Sequence, residues 1–411
     1  MSGITAIGTT FNQPNYHGQL YGLTPTDTPL LSMAGGLGGG QQTGATEFEW
    51  QAYDLREPEI RTRKEGGDAP DPEARVRSNV KNVVQIFQET VGTSYTKQAT
   101  SQQVQTSQAA PFNSADGLGF GNPVVNEHTW QVEQSLKQIA RDANFAFWYG
   151  KKNVPTDNTT DRQMAGLLSV LTTNKAFAGP AGEVTAASAT DTITAAGHGL
   201  SNDDQVVFTS AGGATGIRPD RAYWVVGKAT DTFKVSATQG GPAITLGTAA
   251  PKFVPVATTG AKVVTIDMVN ALVQGIFDNG GMTEGETRTL FVPSIQKTLL
   301  TKAYATAYGQ ANGAIGAPAG RTVGGVSVGH ITTDFGSLNI VVERALPKDC
   351  IAAVSVDEVD PVFLNIPGKG VLFEEALAKT GATDKTQIYG EIGLKYGAET
   401  HHGVLRGLAV K

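Results

Sequence analysis

The chain has 411 residues, a net charge of −6, hydrophobic residues at 40% of its length and one cysteine, Cys350. Its length predicts two or three folding units with buried cores, and the net negative charge argues against a dedicated nucleic-acid-binding protein. The lone cysteine excludes an intrachain disulfide and a cysteine-based metal centre, and no apolar run reaches the ~18 residues that span a membrane.

The first 45 residues show little periodicity and contain prolines and a glycine-rich run at 35–40. Such a segment cannot bury a core of its own, so we predict an N-terminal arm over residues 1–45. A disordered tail is the alternative interpretation of the same composition.

Residues 46–92 are predicted to form an extended hairpin loop. Phe48 and Trp50 alternate with polar residues, as in a half-buried strand, and Val83–Phe87 is a second β-prone stretch. The segment between them is highly charged and interrupted by proline and glycine. Unpaired charges resist burial, so the tip is either solvated or matched to opposite charge on a neighbouring subunit. The candidate inter-subunit contact residues are Arg61, Arg63, Lys64 and Glu65.

The strongest helix signal covers residues 123–150, within a predicted domain spanning 93–179. Pro123 suits a first helical turn, and Gly150 suits a stop. The apolar or small residues that recur at three- and four-residue spacing predict one buried face: Val125, Thr129, Val132, Leu136, Ile139, Ala143 and Ala146. We expect Leu136 and Ile139 to lie in the core of the subunit.

Residues 180–262 differ in composition from the rest of the chain. Short strand-like pieces alternate with glycine-rich turns, which predicts a small all-β domain inserted into the main body. The main body resumes at 263–411. An amphipathic helix that ends near Gly280-Gly281 is predicted from the apolar spacing of Ile266, Val269, Leu272, Val273 and Ile276. A second helix is predicted from Ser294 to Tyr308, and strands are predicted at 323–328, 338–342, 351–356 and 388–396. The fold class is therefore α+β with an all-β insert.

The chain contains no convincing catalytic, cofactor or metal site. Asp334-Phe335-Gly336 matches a kinase tripeptide, but the accompanying kinase motifs are absent, so a turn before a strand is the simpler interpretation. No histidine has the helical spacing of a zinc site. The adjacent His401 and His402 are expected to point to opposite faces of a strand. We therefore predict no enzyme activity, no cofactor and no metal.

An ordered series of short motifs runs through the main body. Its members are Ala165–Ser169, Phe277–Gly281, Phe291–Lys297, Thr333–Leu338, Glu375–Gln387 and His402–Val404. Each motif alone is weak, but the set, in this order, resembles the tailed-bacteriophage major capsid proteins with the Hong Kong 97-like fold. The resemblance covers roughly residues 20–178 and 263–410, and the region between them resembles a small β module that recurs in phage virion proteins.

The resemblance implies an N-terminal arm, an extended loop, a long spine helix on a peripheral domain, and an axial domain within 263–411 that returns strands to the peripheral domain. It also implies a shell of hexamers and pentamers, assembled in the host cytoplasm, that encloses double-stranded DNA without sequence-specific binding. Portal, scaffolding or decoration proteins would be partners, and no membrane would be involved.

Two alternatives stay open at this point. One is a tail or decoration protein whose functional core is the β insert. The other is a virion hydrolase that uses His198 and Asp203.

Overall fold

The computed structural model describes residues 23–53, 55, 58–68, 71, 75, 77–97, 127–157, 159–178, 183–256, 262–282, 288–311, 329–378 and 381–410. These residues fall into two compact units. One contains the described residues among 1–26, 87–139 and 372–390, and the other contains those among 27–86, 140–371 and 391–411.

The chain contains both helices and runs of consecutive strands, as expected of an α+β protein. The described helices with defined bounds are α1 (Pro29–Met33), α2 (Glu127–Tyr149), α3 (Leu167–Val170), α4 (Ile266–Asp278) and α5 (Ser294–Ala311). The first strands are β1 (Gln41–Thr43), β2 (Glu47–Tyr53), β3 (Arg77–Val83), β4 (Gln85–Ser94) and β5 (Lys175–Phe177). The next are β6 (Val184–Thr185), β7 (Ala187–Ala189), β8 (Thr192–Thr194), β9 (Gln205–Ser210), β10 (Ala222–Val226), β11 (Thr232–Ser236) and β12 (Lys252–Pro255). The last are β13 (Arg288–Val292), β14 (His330–Thr333), β15 (Gly336–Val342), β16 (Ile351–Ser355), β17 (Asp360–Leu364), β18 (Leu372–Ala376), β19 (Thr383–Lys395) and β20 (Gly403–Arg406).

Helix α2 is the long helix that the sequence predicted, and its described part begins at Glu127. The predicted start at Pro123 and the predicted face residue Val125 lie outside the described residues. The buried face differs from the prediction, because Leu136 is only half-buried and Thr129 is exposed. With ~100° of rotation per residue, Leu136 and Thr129 lie about 60–80° around the helix axis from Ile139. They are at the margin of the buried face, whose centre is formed by Val132, Ile139, Ala143 and Ala146. The last turn is buried on more than one side.

A mixed six-stranded sheet has the order β14-β15-β13-β16-β20-β5, with parallel pairs at β13/β15 and β20/β5. Helix α4 packs on this sheet through Val269, Leu272, Val273 and Ile276, all buried as the sequence predicted. The hydroxyl of Thr265 caps this helix by accepting a hydrogen bond from the Met268 N–H. The predicted strand at 323–328 lies outside the described residues.

The strands from β6 to β12 form a seven-stranded sheet with the order β6-β12-β9-β10-β11-β8-β7. Its two edge strands, β6 and β7, are neighbouring parts of the same segment, 184–189. The sheet therefore closes on itself, and a bridge between Ser188 and Ala249 supports the closure. The interior has its own hydrophobic core, which includes Phe208, Phe233 and Phe253. Closure leaves no long unpaired edge for strand addition.

The remaining large sheet has the order β1-β17-β19-β18, and β4 also pairs with β19. Strand β1 belongs to the predicted N-terminal arm and pairs in parallel with β17, from Gln41 opposite Val362 to Thr43 opposite Leu364. The arm is therefore not extended throughout. Its later part forms one helical turn and one strand, because Leu30 and Leu31 are buried and β17 offers an edge.

Candidate functional site

The long hairpin predicted around residues 46–92 is present as the antiparallel pair β2 and β3, and "the hairpin" below means residues 47–83. Pairing runs from Glu47 opposite Val83 to Tyr53 opposite Arg77. The predicted second strand, Val83–Phe87, is wrong, because Val83 ends β3 and Gln85 begins β4. The Val84 N–H, which bonds to the Thr46 carbonyl, continues the pairing of β2 and β3 by one position. The hydrophobic run therefore spans a junction between two strands.

The two faces of the hairpin have different chemistry. Glu49 and Lys81 are directly opposite one another on the polar face and form an ion pair at 2.8 Å. Phe48 and Trp50 lie on the other face, where Phe48 packs with Val84 and Val362 in a small buried cluster. Because apolar contacts fix one end of the hairpin, the charged tip projects from an anchored base.

The tip contains the four predicted contact residues, and all four are exposed: Arg61, Arg63, Lys64 and Glu65. A turn closed by the Gly67 N–H on the Lys64 carbonyl reverses the chain, with Gly66 at φ +75°. Arg61 pairs with Glu59 at 3.4 Å, within the tip itself. Among the described residues, Arg63, Lys64 and Glu65 make no ion pair.

Large apolar side chains accompany these charges along the hairpin. Ile60 is 96% exposed, Tyr53 73% and Leu55 65%. Exposure of large apolar side chains to water does not stabilise an isolated subunit. A neighbouring protein surface would remove these side chains from water and would also contact the charged groups. The tip therefore has the composition of a contact surface with a hydrophobic part and a charged rim.

A buried polar contact that sequence reasoning missed holds the arm. The Glu343 carboxylate accepts hydrogen bonds from the backbone N–H of Leu30 at 3.3 Å and of Ala345 at 3.0 Å, and from the Asn144 side chain at 3.3 Å. Burial raises the pKa of Glu343, although these donors oppose the increase. Outside this pocket, Asp27 accepts the Arg344 Nε hydrogen bond at 2.8 Å. No local sequence pattern marks Glu343, because its partner Leu30 is 313 residues away.

The motifs that suggested chemistry have structural roles. Asp334 and Phe335 form the turn between β14 and β15, as expected from their sequence. His401 and His402 do not lie on a strand: His401 ends a 3-10 turn and contacts Glu358, whereas His402 is buried and bonds to the Tyr396 carbonyl. The expected strand at these residues is therefore wrong, and the two rings have different hydrogen-bond partners.

Three further observations concern the cysteine thiol, metal ligands and membrane-spanning helices. Burial raises the pKa of the Cys350 thiol to about 12, which leaves it protonated and unreactive at neutral pH. Over the ranges that the structure describes, no group of three or more potential metal ligands occurs. No described helix is long and apolar enough to cross a membrane.

Comparison with known families identifies the family to which the protein belongs. The family model described as SU10 major capsid protein matches residues 3–409. The chain belongs to this capsid protein family. The family is structural rather than enzymatic, and the protein is the major capsid protein of a tailed phage, a component of the virion. The alternatives of a tail or decoration protein and of a virion hydrolase are therefore set aside.

One solved phage capsid supports the Hong Kong 97-like fold at low sequence identity, and two further capsids are similar at lower TM-scores. The Cyanophage A-1(L) capsid asymmetric unit matches with a TM-score of 0.56 at 11% identity, covering 98% of each chain. The capsid of Myoviridae Phage XM1 has a TM-score of 0.48 at 11% identity and covers 99% of this chain and 100% of its own. The capsid of Cyanophage P-SCSP1u has a TM-score of 0.48 at 11% identity, with 97% and 93% covered. The fold is Hong Kong 97-like. No curated protein matches in sequence.

Proposed function

We propose that this capsid protein assembles into an icosahedral shell of hexamers and pentamers that encloses double-stranded DNA. The exposed hairpin tip on its anchored base is the observation that carries the proposal. The net charge of −6 argues against tight binding to DNA phosphates, so the shell would enclose the DNA without gripping it. Assembly would occur in the host cytoplasm, with portal, scaffolding or decoration proteins as partners.

The contacts of the tip would stabilise the shell through their number rather than through the strength of each contact. An exposed ion pair contributes about 0.2–1 kcal/mol, which is too little to hold two subunits together. A shell repeats the same contact at every subunit, and the contacts of each subunit add up once its neighbours are in place. Arg61, Arg63 and Lys64 would then meet acidic groups on the adjacent subunit, and Ile60 would be covered.

Reversal of Arg61, Arg63 and Lys64 to glutamate tests this assignment. The subunit is expected to fold normally, because all three side chains are exposed, but shell formation should fall sharply. Sedimentation and negative-stain microscopy would measure assembled particles, and thermal unfolding would check the subunit. A matched control reverses three exposed basic residues elsewhere, Arg221, Lys228 and Lys302. Normal shells from the tip variant would refute the proposed role.

We also propose that residues 180–262 form an inserted module. The rest of the chain would consist of an N-terminal arm (1–45), an extended loop (46–92), a peripheral domain (93–179) and an axial domain (263–411). The separate core of the seven-stranded sheet supports this division. The module is nevertheless attached to the body. Val207 and Val256 pack with Val410 and Ile295, and the Arg218 guanidinium lies 5.1 Å from the centre of the Phe145 ring.

Replacement of residues 181–260 by a short Gly/Ser linker should therefore leave a folded but less stable subunit. The deletion removes the module together with its own hydrophobic core, so the core of the body stays intact. The body residues Val410 and Ile295 lose their contacts with the module and become exposed, which lowers the stability of the subunit. A lowered melting temperature with a single cooperative transition is expected in differential scanning calorimetry. Aggregation without any folded subunit would contradict the division into a body and a separable module.

A further inference from the structure

The base of the hairpin rests on a short segment that we call the seat, residues Tyr396, Gly397 and Ala398. The Trp50 indole N–H donates a hydrogen bond to the Gly397 carbonyl at 2.8 Å. The Trp50 ring meets the Tyr396 ring edge-on, with ring centres 4.8 Å apart. These two contacts fix both the position and the rotation of the Trp50 side chain, and therefore the direction in which β2 leaves the body.

The seat is itself held by side chains from elsewhere in the chain. The Ala398 N–H donates to the Glu358 carboxylate at 3.0 Å, and the other oxygen of Glu358 is 2.5 Å from His401 Nδ1. The Tyr396 carbonyl is 2.7 Å from Nε2 of the buried His402. Burial favours the neutral form of Glu358, but the hydrogen bonds from His401 and Ala398 outweigh it and lower the pKa of this carboxyl.

The close fit between Glu358 and the seat leaves no room for a side chain at residue 397. Gly397 has φ +56°, a conformation that side chains disfavour. A Cβ at this position would also collide with the Glu358 carboxylate. The backbone of the seat is thus shaped around Glu358, in a conformation that places the Gly397 carbonyl under Trp50.

We infer that Glu358 is a positioning residue for the inter-subunit hairpin: by fixing the seat, it sets the direction and order of β2 and β3. The inference rests on the proposed role of the hairpin in subunit contact. Glu358 does not touch the hairpin tip, so it acts through Ala398, Gly397 and Trp50. Loss of the carboxylate would loosen the seat and let the hairpin sample directions that do not match a neighbouring subunit.

Amide hydrogen exchange on the full-length, unassembled subunit tests this inference. Glu358→Ala should accelerate exchange of residues 47–53 and 77–83 by about tenfold or more, and leave the module strands at 205–210 and 222–226 unchanged. Glu358→Gln retains an oxygen acceptor for Ala398 and a polar partner for His401, so it should restore most of the protection. Gly397→Ala should reproduce the Glu358→Ala effect.

Glu399 provides the matched control, since it directly follows the seat and lies in the 3-10 turn that ends at His401. Its carboxylate accepts the N–H groups of Thr172 and Thr173 and does not hold the seat. Glu399→Ala should leave hairpin exchange unchanged.

Unchanged hairpin exchange in Glu358→Ala, or equal acceleration in every strand, would overturn the inference. Shell formation is scored separately. A loosened hairpin with normal shells would support the role of Glu358 in positioning the hairpin and refute the proposed contact role of the hairpin itself.

Discussion

Replacement of Asp349 by alanine is expected to destabilise the subunit by about 3–5 kcal/mol. The Arg406 Nε lies 3.2 Å from Asp349 Oδ2, and the side chains are 5% and 0% exposed. Removal of the carboxylate would leave a buried guanidinium without a counter-charge. The Gly407 N–H, which also bonds to Asp349 at 3.1 Å, would lose its acceptor.

Urea unfolding of the unassembled subunit, followed by circular dichroism, would measure the loss. Glu49→Ala is the control, because it removes an exposed ion pair with Lys81 and should cost far less than Asp349→Ala. Joint replacement of Asp349 and Arg406 by apolar residues should be milder than Asp349→Ala alone, because no buried charge would be left unpaired. Equal losses from the buried and exposed pairs would contradict this account.

Ile139→Ala should also have a large effect, about 2–5 kcal/mol. Ile139 lies at the centre of the buried face of α2 and is 1% exposed, so truncation removes buried methyl groups and leaves a cavity. Leu136, one turn earlier, is only half-buried. Leu136→Ala should cost clearly less than Ile139→Ala, because water already reaches part of its side chain.

Melting temperatures of the two variants, measured in the unassembled subunit, give a direct comparison within one helix. Both substitutions introduce alanine, so helix propensity does not favour either variant by more than a few tenths of a kcal/mol. A larger loss from Leu136→Ala would show that the buried face of α2 is misassigned.

Periodic patterns in the sequence determined much of the secondary structure. The apolar spacing of α4 marked five residues, of which four are buried and Ile266 is half-buried. The alternation at Phe48 and Trp50 identified β2 and its two faces. The charged tip was recognisable because charges without local partners stay exposed. These features depend on residues within a few positions of each other, which a sequence displays directly. The ordered motif series also led to the capsid family, which the match over 3–409 confirmed.

Contacts between distant residues were decided only by the tertiary structure. The arm residue Leu30 meets Glu343, and the hairpin residue Trp50 meets Gly397, across separations of 313 and 347 residues. Glutamate is usually exposed, so the sequence does not indicate that Glu343 is buried or that Glu358 binds the seat. Both facts depend on hydrogen-bond partners that only the folded chain brings together. The margin of the α2 face likewise depends on what packs beside it. Leu136 and Ile139 share one apolar pattern, but the surrounding chain covers only Ile139 completely.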